Sequence, residues 1–365
     1  MRIAIAGMVA LGLFASACSP AATETSVVAS DTQPPPTTTT STTLAVTTTV
    51  APTTTTTMPP PSETSPINGL AVDDPALLDR RVLAVKIDNH PLANPQSGID
   101  QADMVIELMV EWITRFISVW HQSDSEYLGP MRSGRPTDST LLKAFNEPTF
   151  AISGAQSWVQ SMIRARGIHL VGELTNNEAT FRISSRKAPH NLYVNTNLLR
   201  EYADTLGYSN EPPAGPIWSF GPVPEDAAPA TEVRIEFFDQ IVRWSWDEET
   251  GRYLRTAYSR ESMYRNEDGT EGRIGVPVLV ALYVEQYTVY PPGGESGKPL
   301  PASRTTGKGK AFVFAEGAVV EGTWRRASES EWFRLTYPDG AEILIPPGQV
   351  WISLVPATRG LTYSG

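Results

Sequence analysis

The sequence predicts a layered α/β (α+β) sandwich domain over residues 67–215, followed by a smaller, mainly β domain over residues 216–365. Three observations support this fold class. In the first part, short apolar runs rich in β-branched residues alternate with amphipathic segments, the pattern of interleaved strands and helices. A break rich in proline follows at residues 212–216. Beyond it, apolar runs are separated only by turn sequences, as in a β domain.

The first domain begins with apolar runs that predict three strands, at residues 82–87, 104–110 and 113–120. The first run stops at Asp88-Asn89-His90-Pro91, so Asp88 is expected at the carboxyl end of a buried strand, where open α/β sheets collect ligands. An Asx turn before Pro91 is the alternative explanation of the same residues. Amphipathic segments then predict helices at residues 138–145, 156–166 and 196–206.

The second domain contains apolar and aromatic runs that predict strands. They lie at residues 233–246, 253–258, 278–290, 311–314, 332–337, 342–345 and 350–355. One glycine-rich segment, Gly307-Lys308-Gly309-Lys310, lacks the spacing of a phosphate-binding P-loop, and it predicts a mobile basic turn.

The amino terminus predicts export and lipid attachment. Cys18 is the only cysteine, and it follows an apolar run and Ala15-Ser16-Ala17, so residues 1–18 resemble a lipoprotein signal peptide with Cys18 as the lipidation site. An ordinary signal peptide that leaves a spare thiol is the alternative, because Ala15 stands where leucine is usual. Residues 19–66 contain 18 Thr and 9 Pro, too little apolar surface to fold, which predicts a disordered linker.

The charge of the chain argues against nucleic acid as a partner. The formal net charge is −11, and phosphate binding along a nucleic acid needs a broad basic surface. The signal sequence and Cys18 predict an extracytoplasmic location on the cell membrane, with the lipid as the membrane anchor. Between residues 115 and 190, however, basic residues outnumber acidic ones, against the trend of the chain.

Several motifs resemble the YerB-like bacterial lipoprotein family. They are residues 95–98, 113–116, 129–136 (Gly-Pro-Met-Arg-Ser-Gly-Arg-Pro), 185–193 (Ser-Arg-Lys-Ala-Pro-His-Asn-Leu-Tyr), 320–324 and 347–352. The resemblance spans about residues 66–355 and implies a lipid-anchored, extracytoplasmic protein with an amino-terminal α/β sandwich and a smaller carboxy-terminal domain. It implies no established reaction.

Three positions depart from the family pattern. Glu111-Trp112 replaces a Glu-Gly-Gly turn, Ile152 occupies a position where a histidine is expected, and Ser262-Met263 stands in place of a Pro-His pair. The first departure puts the geometry of that turn in doubt. If either histidine of the family were an obligatory catalyst, this chain would lack it.

The strongest candidate site is a set of basic and polar residues that could hold an anion. Its predicted members lie in a loop before a short helix and in a second loop that could close over it, and the backbone N–H groups of that helix start would add to the site. The alternative is that these arginines satisfy loop carbonyls or pair with Asp88, Asp103 or Glu107. The predicted ligand-binding residues are Arg132, Ser133, Arg135, Arg186, Lys187 and Asn191.

For catalysis, His190 is the best candidate general acid or base, with Asp88 or Glu107 as the group that orients it. No metal site is predicted. The spacing of Asp103, Glu107 and Glu111 allows one to be imagined with the nearby histidines, but no compact ligand pair is present. No cofactor is predicted either, because the dinucleotide, P-loop and Gly-x-Ser-x-Gly patterns are missing from the sequence.

These observations leave three functional hypotheses open. The first is an envelope lipoprotein that binds a polar, anionic ligand through the arginine-rich loops. The second is a hydrolase or transferase that acts on a cell-envelope polymer, with His190 as acid and base. The third is a scaffold that binds another envelope protein. A concave pocket that gathers Arg132, Arg135, His190 and Asp88 would favour the first two over the third.

Overall fold

The computed structural model describes residues 63–365. The predicted signal peptide, including Cys18, and residues 19–62 of the predicted linker lie outside the described residues. The description therefore includes the last four residues of the predicted linker, 63–66. Ser65 and Ile67 are already buried there, and the Pro66 carbonyl accepts a hydrogen bond from the Ile217 N–H. Within residues 63–365, no helix is both long and apolar enough to cross a bilayer.

The amino-terminal part contains seven strands and three α-helices. They are β1 (Leu83–Ile87), β2 (Met104–Val110), β3 (Ile113–Trp120), α1 (Pro136–Leu142), β4 (Thr149–Ala151), α2 (Ser157–Arg164), β5 (His169–Val171), β6 (Thr180–Arg182), β7 (Leu192–Val194) and α3 (Thr196–Thr205). Asn195 caps α3, since its side chain accepts a hydrogen bond from the Leu198 N–H.

The carboxy-terminal part is built from strands. They are β8 (Ala228–Pro229), β9 (Glu232–Glu236), β10 (Ile241–Asp247), β11 (Arg252–Ala257), β12 (Arg260–Glu261), β13 (Met263–Arg265), β14 (Glu271–Arg273), β15 (Gly275–Val276), β16 (Val278–Val284), β17 (Gln286–Val289), β18 (Leu300–Ser303), β19 (Gly307–Ala315), β20 (Ala318–Arg326), β21 (Arg334–Thr336), β22 (Val350–Pro356) and β23 (Leu361–Ser364). The predicted fold class, an α/β part followed by a mainly β part, is confirmed.

One main sheet runs through both parts of the chain. Its strand order is β21-β20-β19-β16-β22-β2-β3-β1-β4-β5, and β8 pairs with β20 beside this path. The late strand β22 lies between β16 and β2 and is parallel to both, with Val350 opposite Val278 on one side and Met104 on the other. The two parts are therefore joined by backbone hydrogen bonds within a single sheet.

Apolar side chains on both faces of the main sheet hold the layers together. On β2, Met104, Ile106 and Leu108 face one core, which also contains residues of α1 and α2. The alternate residues Val105 and Met109 face a second core, built with α3 and a smaller sheet of order β12-β11-β10-β9-β23. Successive residues of a strand point to opposite faces of the sheet. Because both faces of β2 are covered, the strand carries apolar residues on both sides.

Candidate functional site

The candidate site lies where parallel strands β1 and β4 end at the same edge of the main sheet. Asp88 follows β1, and Ser153 follows β4 after one residue. The segment from Arg132 to Gly134 crosses this edge and is fixed to both strands. The Arg132 N–H donates to the Lys86 carbonyl at 2.7 Å, and the Ser153 N–H donates to the Arg132 carbonyl at 3.1 Å. The edge has the position at which open α/β sheets bind ligands.

Asp88 is the centre of a polar group that we call the edge cluster, made of Asp88, His90, Arg132 and His190. Asp88 Oδ2 lies 2.7 Å from His190 Nδ1 and 3.3 Å from Arg132 Nε. Its other oxygen accepts a hydrogen bond from the His90 N–H at 3.0 Å. Asp88 is fully buried, whereas the side chain of Arg132 keeps 22% of its surface exposed. The carboxylate is therefore shielded from solvent, while Arg132 and His90 stay partly accessible.

The two imidazole rings of the edge cluster are stacked. Their centroids are 4.6 Å apart and their planes differ by 19°. His90 Nδ1 accepts a hydrogen bond from the Leu92 N–H at 3.2 Å, which fits a neutral ring. Burial and then the charge of His190 lower the pKa of His90. A positive charge on the His90 ring is thus disfavoured.

The second predicted loop has a structural role in this conformation. Arg186 Nη1 donates to the Ala93 carbonyl at 2.6 Å, and its Nη2 donates to the Pro95 carbonyl. Asn191 accepts a hydrogen bond from Arg182 Nη1 at 2.8 Å and donates one to Ile183. These contacts follow the alternative in which loop carbonyls satisfy the arginines. Lys187 is exposed.

Arg135 lies in a separate cavity of about 470 Å³, which we call the Arg135 cavity. Arg135 Nη2 donates to Glu111 Oε1 at 2.7 Å, and the two side chains are 13% and 40% exposed. Ser133 Oγ lies 3.3 Å from Ser153 Oγ. Further residues complete the walls: Gly154, Ala155, Gln156, Lys298, Pro299 and Leu300. Arg132 and Arg135 therefore serve different surfaces, although they are three residues apart.

The start of the short helix α1 does not have the form expected of an anion site. The helix α1 begins at Pro136, which has no N–H, and Asp138 Oδ2 accepts the Arg135 N–H at 2.7 Å. Asp138 Oδ1 also lies 2.6 Å from Lys86 Nζ, and both side chains are fully buried. The carboxylate of the helix itself thus occupies the place at which an outside anion would bind.

Glu107 does not orient His190, so that pairing was wrong. Its Oε1 accepts hydrogen bonds from Arg255 Nη2 and Thr114 Oγ1, each at 2.7 Å, and its Oε2 accepts one from Trp351 Nε1 at 3.2 Å. We call Glu107, Arg255, Thr114 and Trp351 the interior network. Asn89 Nδ2 donates to Thr114 Oγ1 at 2.7 Å, and this contact links the network to the segment that carries Asp88.

The three carboxylates considered for a metal have separate partners. Asp103 Oδ2 accepts the backbone N–H of His121 at 2.6 Å, Glu107 binds Arg255, and Glu111 binds Arg135. His121 is fully buried on its own, with Nε2 3.0 Å from the Arg80 carbonyl. Across residues 63–365, no group of three or more metal-ligating side chains is gathered.

Sequence reasoning missed Trp112. It follows Glu111 in a two-residue turn between β2 and β3, and 66% of its surface is exposed. Glu111 has a φ of 50°, a left-handed conformation that favours glycine, so a Glu-Trp turn here is conformationally costly. The indole packs edge-on against Phe238 with ring centroids 6.3 Å apart. The departure from the family pattern at this turn was the signal that could have drawn attention to it.

Trp112 lines a groove of about 430 Å³ that adjoins the Arg135 cavity. The two share Glu111 and Pro299 in their walls. The other groove residues are largely apolar or aromatic: Met109, Phe238, Gln286, Tyr287, Thr288 and Pro301. A polar cavity and an apolar groove thus meet at Glu111.

Positive charge exceeds negative charge around the site. Within residues 63–365, Arg115, Arg132 and Arg135 form ion pairs with two carboxylates, those of Asp88 and Glu111. Burial, followed by the like charge of Arg135, lowers the pKa of Arg115 to about 10. The guanidinium groups therefore act on one another, and an added anion would relieve their repulsion.

Comparisons with known proteins place this architecture in a family. A model described as "Protein of unknown function (DUF3048) N-terminal domain" matches residues 67–209, and the model for the C-terminal domain of the same family matches residues 233–352. The chain belongs to the DUF3048 family. The edge cluster falls in the N-terminal DUF3048 segment, whereas Lys298 and Pro299 of the Arg135 cavity fall in the C-terminal one.

One relative and one solved structure extend the comparison. YerB, a predicted lipoprotein of Bacillus subtilis (strain 168), is 27% identical over 307 residues, which cover 80% of this chain and 86% of YerB. The crystal structure of YerB matches with a TM-score of 0.70 and 23% identity, and covers 82% of this chain and 100% of the crystallised one. The DUF3048 fold is therefore shared, and the resemblance noted in the sequence is confirmed.

Proposed function

We propose that the chain is a lipid-anchored protein of the cell envelope that binds a polar ligand carrying an anionic group in the Arg135 cavity. The position of Cys18 after an apolar run supports the anchor, as does the description of YerB as a predicted lipoprotein. Mass spectrometry should find a lipid bound covalently to Cys18 in the wild type and none in Cys18→Ser. Wild-type protein without a lipid at Cys18 would contradict lipid attachment.

The observation that carries the binding proposal is the surplus of guanidinium groups beside an open cavity. Arg135 and the adjoining Arg115, which donates a hydrogen bond to the Ser133 carbonyl, share one carboxylate there, that of Glu111. Lys298, which also lines the cavity, has no ion pair within residues 63–365. Glu111, the partner of Arg135, is partly exposed, so a ligand carboxylate or phosphate can replace it or bind beside it. The cavity is large enough for a small polar group.

The Trp112 groove indicates that the ligand has an apolar part in addition to its anionic group. An exposed indole, an adjoining Phe238 ring and Tyr287 offer flat apolar surface next to the charged cavity. Ligand sites combine such apolar walls with a few polar groups that set orientation. The ligand therefore carries a ring or another flat apolar part within reach of its anionic group.

The test is a thermal-shift screen of the purified protein with envelope fragments, phosphosugars and simple carboxylates. A ligand at one hundred times its Kd should raise Tm by about 5 °C. The Arg135→Ala variant should lose the shift. Arg166→Ala is the matched control, because Arg166 makes a similar ion pair with Glu329 away from the cavity. A screen without hits, or equal loss in both variants, would overturn the proposal.

A second candidate function is general acid or base catalysis by His190 on an envelope polymer. The contact between Asp88 Oδ2 and His190 Nδ1, at 2.7 Å, favours it, because a carboxylate that holds one ring nitrogen leaves the other to exchange a proton. His190→Asn should abolish turnover of any envelope polymer that the protein cleaves, while the ligand-induced thermal shift persists. Turnover that survives in His190→Asn would exclude this role.

A further inference from the structure

The basic segment Gly307-Lys308-Gly309-Lys310 is not a mobile turn, so that prediction was wrong. It forms the first part of β19 and pairs with β20 along its length, with Gly307 opposite Arg326 and Lys310 opposite Thr323. Its partner on the other side, β16, begins to pair only at Ala311. The two lysines therefore project from ordered strand backbone that extends beyond β16.

Lysines and arginines lie directly opposite one another on three neighbouring strands. Lys308 of β19 is opposite Arg325 of β20, and Arg325 is opposite Arg334 of β21. Residues opposite each other in an antiparallel pair lie on the same face, and like charges so placed destabilise a sheet. Lys310 lies two residues from Lys308, so it shares this face as well. We call Lys308, Lys310, Arg325 and Arg334 the cationic strip.

The charges of the cationic strip are poorly compensated. Lys308, Lys310 and Arg325 are exposed, and none of them has an ion pair anywhere in the described part of the chain. Only Arg334 has a carboxylate in reach, that of Glu342 at 4.0 Å. This arrangement occurs in a protein whose net charge is −11, so it runs against the rest of the molecule.

A groove of about 460 Å³ adjoins the strip and is lined by both lysines, Arg304, Glu285 and Tyr283. Arg304 and Glu285 pair with each other at 2.8 Å, so the two lysines supply the uncompensated charge of the groove. Its floor is rigid. Trp324 Nε1 donates to the Tyr283 carbonyl at 2.8 Å. A Cβ at Gly309 would lie 2.4 Å from that carbonyl oxygen and 2.5 Å from Trp324 Nε1. Glycine at residue 309 is thus required for the strand to pack onto the indole, and it fixes the positions of the lysines on either side.

We propose that the cationic strip and this groove bind a linear polymer that carries a phosphate in each repeat. Lysine ammonium groups are compact charges suited to phosphate, and the row spans two strand spacings, about 10 Å, which matches an extended chain better than a single small anion. The concave surface favours a chain that lies in the groove over a flat membrane surface. The strip shares no residue with the Arg135 cavity, so this proposal stands apart from the proposed function.

The experiment measures binding of inorganic polyphosphate to the purified protein by calorimetry at several salt concentrations. The affinity should fall with salt, as expected when bound counterions are released. The triple variant Lys308→Gln/Lys310→Gln/Arg325→Gln should bind about tenfold or more weakly and with a shallower salt dependence. Its Tm should stay equal or rise, because opposed like charges are removed.

A control variant with the same change of net charge separates the strip from a general charge effect. Arg164→Gln/Arg243→Gln/Arg260→Gln alters three other exposed arginines, and it should bind polyphosphate like the wild type. Two further probes, polygalacturonate and phosphatidylglycerol vesicles, should bind more weakly than polyphosphate. The proposal is overturned if the wild type does not bind polyphosphate, if both triple variants lose equal affinity, or if either alternative probe binds as tightly.

Discussion

The interior network and the edge cluster use the same chemistry in two different settings. Each is built on a fully buried carboxylate that meets a guanidinium group, Glu107 with Arg255 and Asp88 with Arg132. Arg255 is only 2% exposed, and it packs over the rings of Phe116 and Trp351 at 5.3 and 5.4 Å. Arg132, in contrast, reaches solvent at the end of β1. Both carboxylates are buried, so the two pairs differ in the exposure of the arginine. A buried arginine marks a structural ion pair, whereas a partly exposed one marks a candidate site.

The largest expected difference between the two settings concerns stability. Glu107→Ala would leave Arg255 buried without a carboxylate, and we expect it to lower the free energy of unfolding by about 3–5 kcal/mol. Asp88→Asn keeps hydrogen-bonding atoms in a partly open cluster and should cost about 1–2 kcal/mol. Urea unfolding of both variants provides the measurement.

A double variant sharpens that test. Glu107→Met/Arg255→Met should recover much of the loss, because removal of both charges leaves no uncompensated ion between the sheets. Equal losses for Glu107→Ala and Asp88→Asn would show that the two carboxylates have the same structural role, and the contrast drawn between them would then fail.

His121 is fully buried, unlike His90 in the partly open stack of the edge cluster, and its burial should make stability depend on pH. Burial lowers the pKa of His121 to about 4, from an ordinary value of 6.5. The native state therefore resists protonation of this ring. The stabilisation is complete above about pH 6.5 and declines as the pH falls towards 4, with a loss of about 3 kcal/mol.

The measurement is the free energy of unfolding of wild type and His121→Asn across that pH range. Their difference should shrink as the pH falls, because the variant has no ring to protonate. Parallel curves for the two proteins would contradict the assignment of this pH dependence to His121.

The smallest expected effect concerns the turn at the mouth of the Arg135 cavity. Glu111→Gly should change the free energy of unfolding by less than about 1 kcal/mol, because relief of the left-handed backbone offsets the loss of a partly exposed ion pair. The same change frees Arg135 and should tighten binding of an anionic ligand, as calorimetry can show. A loss above about 2 kcal/mol would mean that this pair is structural, like the interior network.

Local elements were predictable from the sequence where hydrophobic periodicity decided them. The runs at residues 104–110 and 113–120 coincide with β2 and β3, because both are apolar and bounded by clear breaks. The run at residues 233–246 is two strands, β9 and β10, joined by a turn in which the Phe237 N–H donates to the Gln240 carbonyl. A turn without glycine or proline gave no signal there.

Long-range contacts were harder to foresee. Asp88 and His190 are 102 residues apart, and nothing in the sequence shows that they are in contact. Nor does the sequence show that Glu107 pairs with Arg255 instead of His190. The pairing of β2 with β22 is equally hidden, because each strand is a plain apolar run with many possible neighbours. The candidate residues of the site were identifiable by type, but their grouping into an edge cluster and a separate cavity required the tertiary structure.

The central place of β22 in the main sheet has a consequence for biosynthesis. Residues 350–356 are made long after residues 104–110, yet they separate β16 from β2 and pair with both. Contacts between such distant segments slow folding, since a long loop must close first. The nascent polypeptide therefore cannot complete its largest sheet until β22 has been translated, even though β1, β2 and β3 are made much earlier.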